Sequence, residues 1–285
     1  MPKKRKRERH EPNIVVFLVE GESDKIVLEL PIADLITEKN PDYEVRFLLQ
    51  ERVVNNVGDE VADVENEEDE EESIPEIEYA YGGDITTSSY VSPVNIESKI
   101  TRRFILPAVR KDGIYPKKIA KIIHIVDLDG AYIPDENIVP YSKERFGYEK
   151  LYYDDINGQI ETSSIDATVL RNEHKRNNID YLLNLPEEKI KIKSKLIPYE
   201  IYFFSSNMDH FVNNDANIKE GKLRLAREFL EEYGLDTESF CTYFLNDANS
   251  IGKLGYKESW EEVKKGLNSV KRFTNIDCLI RKLKD

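Results

Sequence analysis

The sequence predicts an α/β protein with a doubly wound, mainly parallel sheet and a largely helical C-terminal extension. Residues 121–130, KIIHIVDLDG, hold a near-continuous β-branched run (Ile122, Ile123, Ile125, Val126) that stops at two carboxylates and a glycine. A strand buried on both faces reads this way. Residues 13–20, NIVVFLVE, repeat the pattern and also end in a carboxylate. Residues 199–205, YEIYFFS, add a third such run ending in polar groups, and segments of helical spacing separate the runs. Polar groups just past strand ends stand at the rim of an open α/β sheet, where such folds place their ligands.

At 285 residues the chain can bury a sizeable core, as one large domain or a domain with an appendage. No apolar run approaches the ~18 residues of a membrane span and no signal peptide is evident, so the expected setting is the cytoplasm, away from membrane. Cys241 and Cys278 are isolated and lack zinc spacing, which fits a reducing compartment. The net charge of −14 is a local matter. Residues 57–78 hold twelve acids and no base, and the remainder is near neutral.

Three segments follow from these patterns: a basic arm over 1–12, a core over 13–135 with an acidic insertion at 57–78, and a C-terminal extension over 136–285. The strand at 199–205 is expected to join the core sheet. The arm, with six bases and one acid in its first ten residues, reads as a solvated disordered tail or as a phosphate-binding or nuclear-address segment. After the first strand Gly21 permits a tight turn. Ser23 or Asp24 then caps a helix carrying Ile26, Val27, Leu30 and Ala33, which Pro31 should kink or restart.

A further strand is expected over 43–54. The acidic run that follows reads as an exposed insertion, or as a decoy for a basic groove. Beyond the turn at Gly82–Asp84, residues 96–110 have helical spacing, with Ile96, Ile100 and Phe104 on one side and Lys99, Arg102, Arg103 and Arg110 on the rest. Lys117, Lys118 and Lys121 lead from there into the DLDG strand. These bases form either a solvated face or a track for a nucleic-acid backbone beside the strand end. The Tyr-rich stretch 131–160 is expected to be a long loop with short strands, whose Tyr132, Tyr141, Tyr148, Tyr152 and Tyr153 pack beneath it or stack on bases. Residues 163–184 look helical, with His174 at the surface. Asn207 or Asp209 should cap a short helix after the third strand, and amphipathic helices are expected over 217–233 and 260–273.

Two strand ends, Glu20–Gly21 with Asp24 and Asp127-x-Asp129-Gly130, supply a hard, oxygen-rich corner suited to Mg²⁺. The plainer reading of each is a cap or an Asp-rich turn. The matching segments VEGESD and HIVDLDG resemble the motif pair of the TOPRIM domain of topoisomerases, DnaG-type primases and OLD-family nucleases, over roughly residues 12–135. Within that family the chain resembles OLD-like and RloB-like proteins of bacterial phage defence, and SSNMDHF at 205–211 resembles their strand-then-acidic-helix motif.

The resemblance implies a TOPRIM-like fold and a nuclease dependent on Mg²⁺ or Mn²⁺, the toxic effector of an abortive-infection system. Asp127 and Asp129 would bind metal, Glu20 would bind metal or act as general base, and Asp24 and Asp209 would be further metal-associated carboxylates. Phosphodiester cleavage needs a stabilised anionic transition state and an activated nucleophile, and carboxylate-bound metal supplies both. The implied partners are nucleic acid (DNA or RNA, tRNA included) and a separate ABC-type ATPase, since no Walker A sequence occurs. Oligomerisation is left open. The insertion between the motifs, the Tyr-rich loop directly after DLDG and the poorly matched third motif leave the substrate open as well. Two other readings are a non-catalytic scaffold that binds nucleic acid or an ATPase, and a HAD-like phosphatase with Asp127 as nucleophile. Ala131 after the glycine, and a strand ending in EGESD ahead of the motif, count against the phosphatase.

Overall fold

The computed structural model describes residues 13–54, 78–142 and 151–285; the basic arm, all but the last residue of the acidic run, and Tyr148 lie outside them. Strand β1 (Asn13–Val19), helix α1 (Glu22–Lys39) and strand β2 (Tyr43–Leu49) form a parallel βαβ unit. Strands β3 (Glu51–Val54) and β4 (Glu78–Tyr81) pair as a separate antiparallel ribbon. Helices α2 (Ile96–Ile100) and α3 (Leu106–Asp112), joined by a π-helical turn over Thr101–Ile105, lead to β5 (Ile119–Asp127).

A small sheet of β6 (Ile138–Pro140), β7 (Tyr152–Asp154) and β8 (Gln159–Thr162) precedes α4 (Ile165–Leu183). Strands β9 (Lys189–Ile192) and β10 (Lys195–Phe204) follow, and then α5 (Met208–Asn213), α6 (Lys222–Phe229), α7 (Thr237–Asn246), α8 (Tyr256–Val263) and α9 (Ile276–Lys284). The main sheet has the order β2-β1-β5-β10-β9, parallel except for β9 at its edge. It therefore runs across the expected boundary at 135/136, because β10 pairs with β5 from Tyr199 to Phe204.

Both faces of this sheet are covered, which is why its central strands read as unbroken apolar runs. Val15, Phe17 and Val19 of β1 pack with α1, α7 and α9, while Ile14, Val16 and Leu18 pack against α2, α3 and α4 on the other face. Val16, Phe17, Leu18 and Val19 are all sealed from solvent, each adding about 1.5–3 kcal/mol of burial. Helix α1 continues through Pro31 without restarting there. Pro31 lies on the buried side with Val27, Leu28, Ile32, Leu35 and Ile36, and that packing outweighs the ~3 kcal/mol cost of an interior proline. Among the described residues no helix is long and apolar enough to cross a membrane.

Two other expectations change. The strand expected over 43–54 divides at Gln50, so that β2 joins the main sheet and β3 leaves it. The helix expected over 260–273 ends at Val263, near Gly266 with φ +52°, and the chain then runs along the outer edge of β10. That edge is unpaired by β9 beyond Pro198, and side chains together with backbone of residues 273–275 close it instead. The Tyr256 hydroxyl accepts from Ile201 N–H at 3.3 Å and donates to Ile201 O at 2.9 Å. Asn275 Oδ1 accepts from Phe203 N–H at 2.9 Å, Thr274 Oγ1 donates to Phe203 O at 2.6 Å, and Phe273 O accepts from Ser205 N–H at 2.8 Å.

Candidate active site

From β1 the chain winds outward to β2, whereas β5 and β10 extend the sheet the other way, so the winding reverses between β1 and β5. Open α/β sheets bind ligands at the carboxyl ends of such a pair. Glu20 and Asp127 occupy those ends, and Asp127 N–H donates to Glu20 Oε1 at 2.9 Å. The chain turns at once after β5 through two left-handed residues, Asp129 (φ +51°) and Gly130 (φ +67°). Leu128 N–H and Asp129 N–H donate to Phe204 O and Ser206 O, both at 2.8 Å. The φ favours glycine at 130, and a Cβ there would lie 2.9 Å from Ile160 Cδ1, so that Ile160 would have to shift.

Neighbouring segments add further carboxylates. Gly83 N–H donates to Glu20 O at 2.6 Å, which draws the turn after β4 over the site and delivers Asp84. Asp84 Oδ1 accepts from Thr86 N–H at 2.7 Å. On the β10 side, Met208 N–H donates to Asp127 Oδ1 at 3.0 Å, so the start of α5 is held against Asp127 with Asp209 next along. Asp24 reaches back from the first turn of α1, its Oδ2 accepting from Gly21 N–H at 2.8 Å.

Cationic side chains divide the carboxylates into two halves. Lys175 of α4 is 0% exposed, with Nζ 2.7 Å from Asp129 Oδ2 and 2.8 Å from Asp84 Oδ2, the latter at an angle that makes it an ion pair rather than a hydrogen bond. Arg171, one helical turn away, brings Nη2 to 2.6 Å from Asp129 Oδ2. The Tyr153 hydroxyl donates to Asp129 Oδ1 at 2.9 Å. In the other half, Lys222 Nζ lies 2.5 Å from Asp209 Oδ2 with its side chain 42% exposed.

These placements set the acidities. Burial, reinforced by Asp84, pushes Glu20 well above the usual carboxylate range. Burial, reinforced by Asp24 and Asp129, does the same to Asp127. Asp24 is raised to about 6, chiefly by burial. Burial works to raise Asp129 too, but Lys175 and Arg171 outweigh it and hold this carboxyl well below its ordinary value. Burial likewise opposes the charge on Lys175, and Asp129, Asp84 and Glu20 overcome it, so that the ammonium is held more tightly than usual. Asp129 is thus a satisfied anion, whereas Glu20 and Asp127 are carboxyls short of a cation.

A divalent ion would relieve that shortage, and an all-oxygen donor set fits Mg²⁺ or Mn²⁺. Among the described residues, no three Asp, Glu, His or Cys side chains already converge as a ready-made ligand shell. Mg²⁺ commonly uses one or two carboxylates and keeps several waters, so a closed protein cage is not required.

Of the residues expected from sequence, Glu20, Asp127 and Asp129 come together at the switch point, and Asp24 and Asp209 flank Asp127 through Lys222. The expected basic track needs correction. Arg103 is 2% exposed and donates to Ser88 Oγ at 3.3 Å; seven residues after Ile96 and three after Ile100, it falls on the side that those buried residues occupy. Lys117 and Lys118 precede β5, whose nine residues place them roughly 30 Å from Asp127 at ~3.3 Å per residue. Arg110 pairs with Glu51 at 2.5 Å. Lys99 is half-buried and Arg102 exposed on the α2 segment. Sequence reasoning missed Asp84, Arg171, Lys175 and Lys222, and gave Tyr153 a packing or base-stacking role where its hydroxyl instead holds Asp129. The four-residue spacing of Arg171 and Lys175 was the available signal for a cationic helix face.

Ser206 Oγ bonds His210 Nδ1, and His210 Nε2 stands 3.4 Å from Asp155 Oδ2, an order reminiscent of a hydrolytic triad. Ser206 is sealed from solvent, so these bonds pin the β7–β8 turn to α5 rather than present a nucleophile. A cavity of 670 Å³ lined by Val15, Lys121, Glu200 and Lys282 lies at the opposite end of the sheet. A scan against protein-family models, a search of curated proteins and a search of solved structures each found no match.

Proposed function

We propose that this chain has a TOPRIM-like fold and is a metal-dependent nuclease, the toxic effector of an anti-phage system acting with a separate ABC-type ATPase. The observation that carries the nuclease reading is the pairing of Glu20 with Asp127 across adjacent strand ends, both carboxyls short of a cation, beside a fixed Lys175. The carboxylates available to a divalent ion are Glu20, Asp24, Asp127 and Asp209, while Asp129 stands beside them already engaged by Lys175, Arg171 and Tyr153. Bound there, the ion would neutralise charge on the scissile phosphate and lower the pKa of an attacking water. Glu20, whose carboxyl burial pushes above the usual carboxylate range, suits a proton-transferring role at that water. Asp127 is oriented by Met208 N–H, and Arg171 and Lys175 keep positive charge in place before substrate arrives.

The test is cleavage of plasmid DNA, tRNA and total RNA by the purified protein with Mg²⁺ or Mn²⁺, against chelator, with Glu20→Ala and Asp127→Ala alongside. Metal-dependent cutting lost in both variants supports the reading and names the substrate class. Undiminished nucleic-acid or ATPase binding without turnover, with or without the ATPase, would replace it with the scaffold reading. In cells, equal harmlessness of wild type and Glu20→Ala under phage challenge would remove the defence role.

A further inference from the structure

The two cationic side chains of the site differ in one decisive respect. Lys175 is fully enclosed and tied to two carboxylates, Asp84 and Asp129. Its neighbours Arg171 and Tyr153 occupy Asp129 as well, so both Asp129 oxygens are engaged. Lys222 sits at the first position of α6, touches Asp209 and leaves 42% of its side chain in solvent. Moving it outward uncovers Asp209, itself buried, with Asp127 and Asp24 beside it, whereas Lys175 has no path to solvent. Asp127, between the halves, uses Oδ1 for Met208 N–H.

We infer, on the basis of the metal-dependent reading above, that this site takes a single divalent cation. Lys175 is the permanent occupant of the second cation position, and Lys222 is the residue that yields. The ion sits on the Asp127–Asp209 side, with Asp24 behind it. Asp129 is a positioning residue that fixes Lys175 rather than a metal ligand. The substrate phosphate would meet one metal on one flank and a fixed ammonium on the other. A fixed side chain needs no second metal to be captured and brings its charge already oriented. The asymmetry also explains why no ligand shell is ready-made among the described residues: the lysines stand where ions would.

The experiment is a titration of metal-stripped, full-length protein with Mn²⁺, read by calorimetry and by the electron-spin signal of free Mn²⁺, with no nucleic acid present. One site per chain is expected. Asp127→Asn and Asp209→Asn should weaken binding by more than 30-fold and Asp129→Asn by less than threefold. Lys222→Ala should tighten it about fivefold, the worth of a half-exposed ion pair. Lys175→Met should open a second site and make thermal stability rise more steeply with Mn²⁺ than in wild type. If that variant fails to fold, the wild-type stoichiometry and the aspartate variants decide. Two sites in wild type, or Asp129→Asn weakening binding as much as Asp127→Asn, would overturn the inference. Two sites with metal-dependent cleavage leave the nuclease reading standing, one site with no cleavage of any substrate does the reverse, and no binding removes both.

Discussion

Replacing Asp24 by asparagine in metal-free protein should stabilise the fold by about 3 kcal/mol at neutral pH and by almost nothing at pH 4. Asp24 is only 9% exposed, and burial raises its folded pKa from 3.8 to about 6. An acid that holds its proton more tightly when folded adds its stability below the unfolded value. That contribution is lost as pH climbs from 3.8 to 6 and stays lost above. Two units at about 1.4 kcal/mol each give about 3 kcal/mol. Asparagine carries no charge at any of these pH values, and its Oδ1 can still accept the Gly21 N–H bond that Asp24 makes at 2.8 Å. Urea unfolding of both chains in chelator at pH 4, 5, 6 and 7.5 gives the difference directly, with half of it expected near pH 5. His124, pushed down to about 4 by burial, makes both chains less stable on acidification and cancels in the comparison. A difference that does not vary with pH, or a less stable variant at pH 7.5, would refute the reasoning and show Lys222 already offsetting the buried charge.

Four other outcomes are expected. Glu20→Gln should lower metal-dependent cleavage by about 100-fold or more, the usual share of a proton-transferring group, read in single-turnover assays. Lys175→Ala removes the partner of two carboxylates and should cost about 3–5 kcal/mol in denaturant unfolding. Restoring it as Lys175→Arg should recover only part, since the enclosed space fits one ammonium. Gly130→Ala places a Cβ 2.9 Å from Ile160 in a left-handed conformation and should cost about 1–3 kcal/mol, with Ile160→Ala in the same chain relieving the contact. Tyr153→Phe should raise the pKa of Asp129 by removing one hydrogen bond, followed by carboxyl NMR titration.

The central strands were legible because burial on both faces leaves one unbroken apolar signature, and Glu20 and Asp127 were legible because carboxylates end those runs abruptly. What escaped the sequence came from long-range contacts. Asp84 enters through a turn whose place depends on Gly83 reaching Glu20 O. Lys175 is fully enclosed in a helix otherwise rich in charge, and nothing local separates a lysine bound for two buried carboxylates from one facing water. Arg103 was masked by its charge: seven residues after Ile96 and three after Ile100, it lies on the apolar face of a 3.6-residue period, where an arginine is not expected to be buried. The bases before β5 looked close to Asp127 in sequence, yet a strand is extended and carries them to the far end of the sheet.

The side-chain closure along β10 has a consequence for the order in which the molecule is made. The Tyr256 hydroxyl that closes Ile201 lies 55 residues downstream, and the Asn275 amide that closes Phe203 lies 72 residues downstream. At roughly 5–20 residues per second of synthesis, the growing chain carries this strand with an open flank for about 3–14 s. An open flank is a template for another chain. A transcript cut short before Tyr256 would thus yield not a smaller working protein but an adhesive one. The final stretch of polypeptide contributes as a late-arriving seal as much as through the helices it contains.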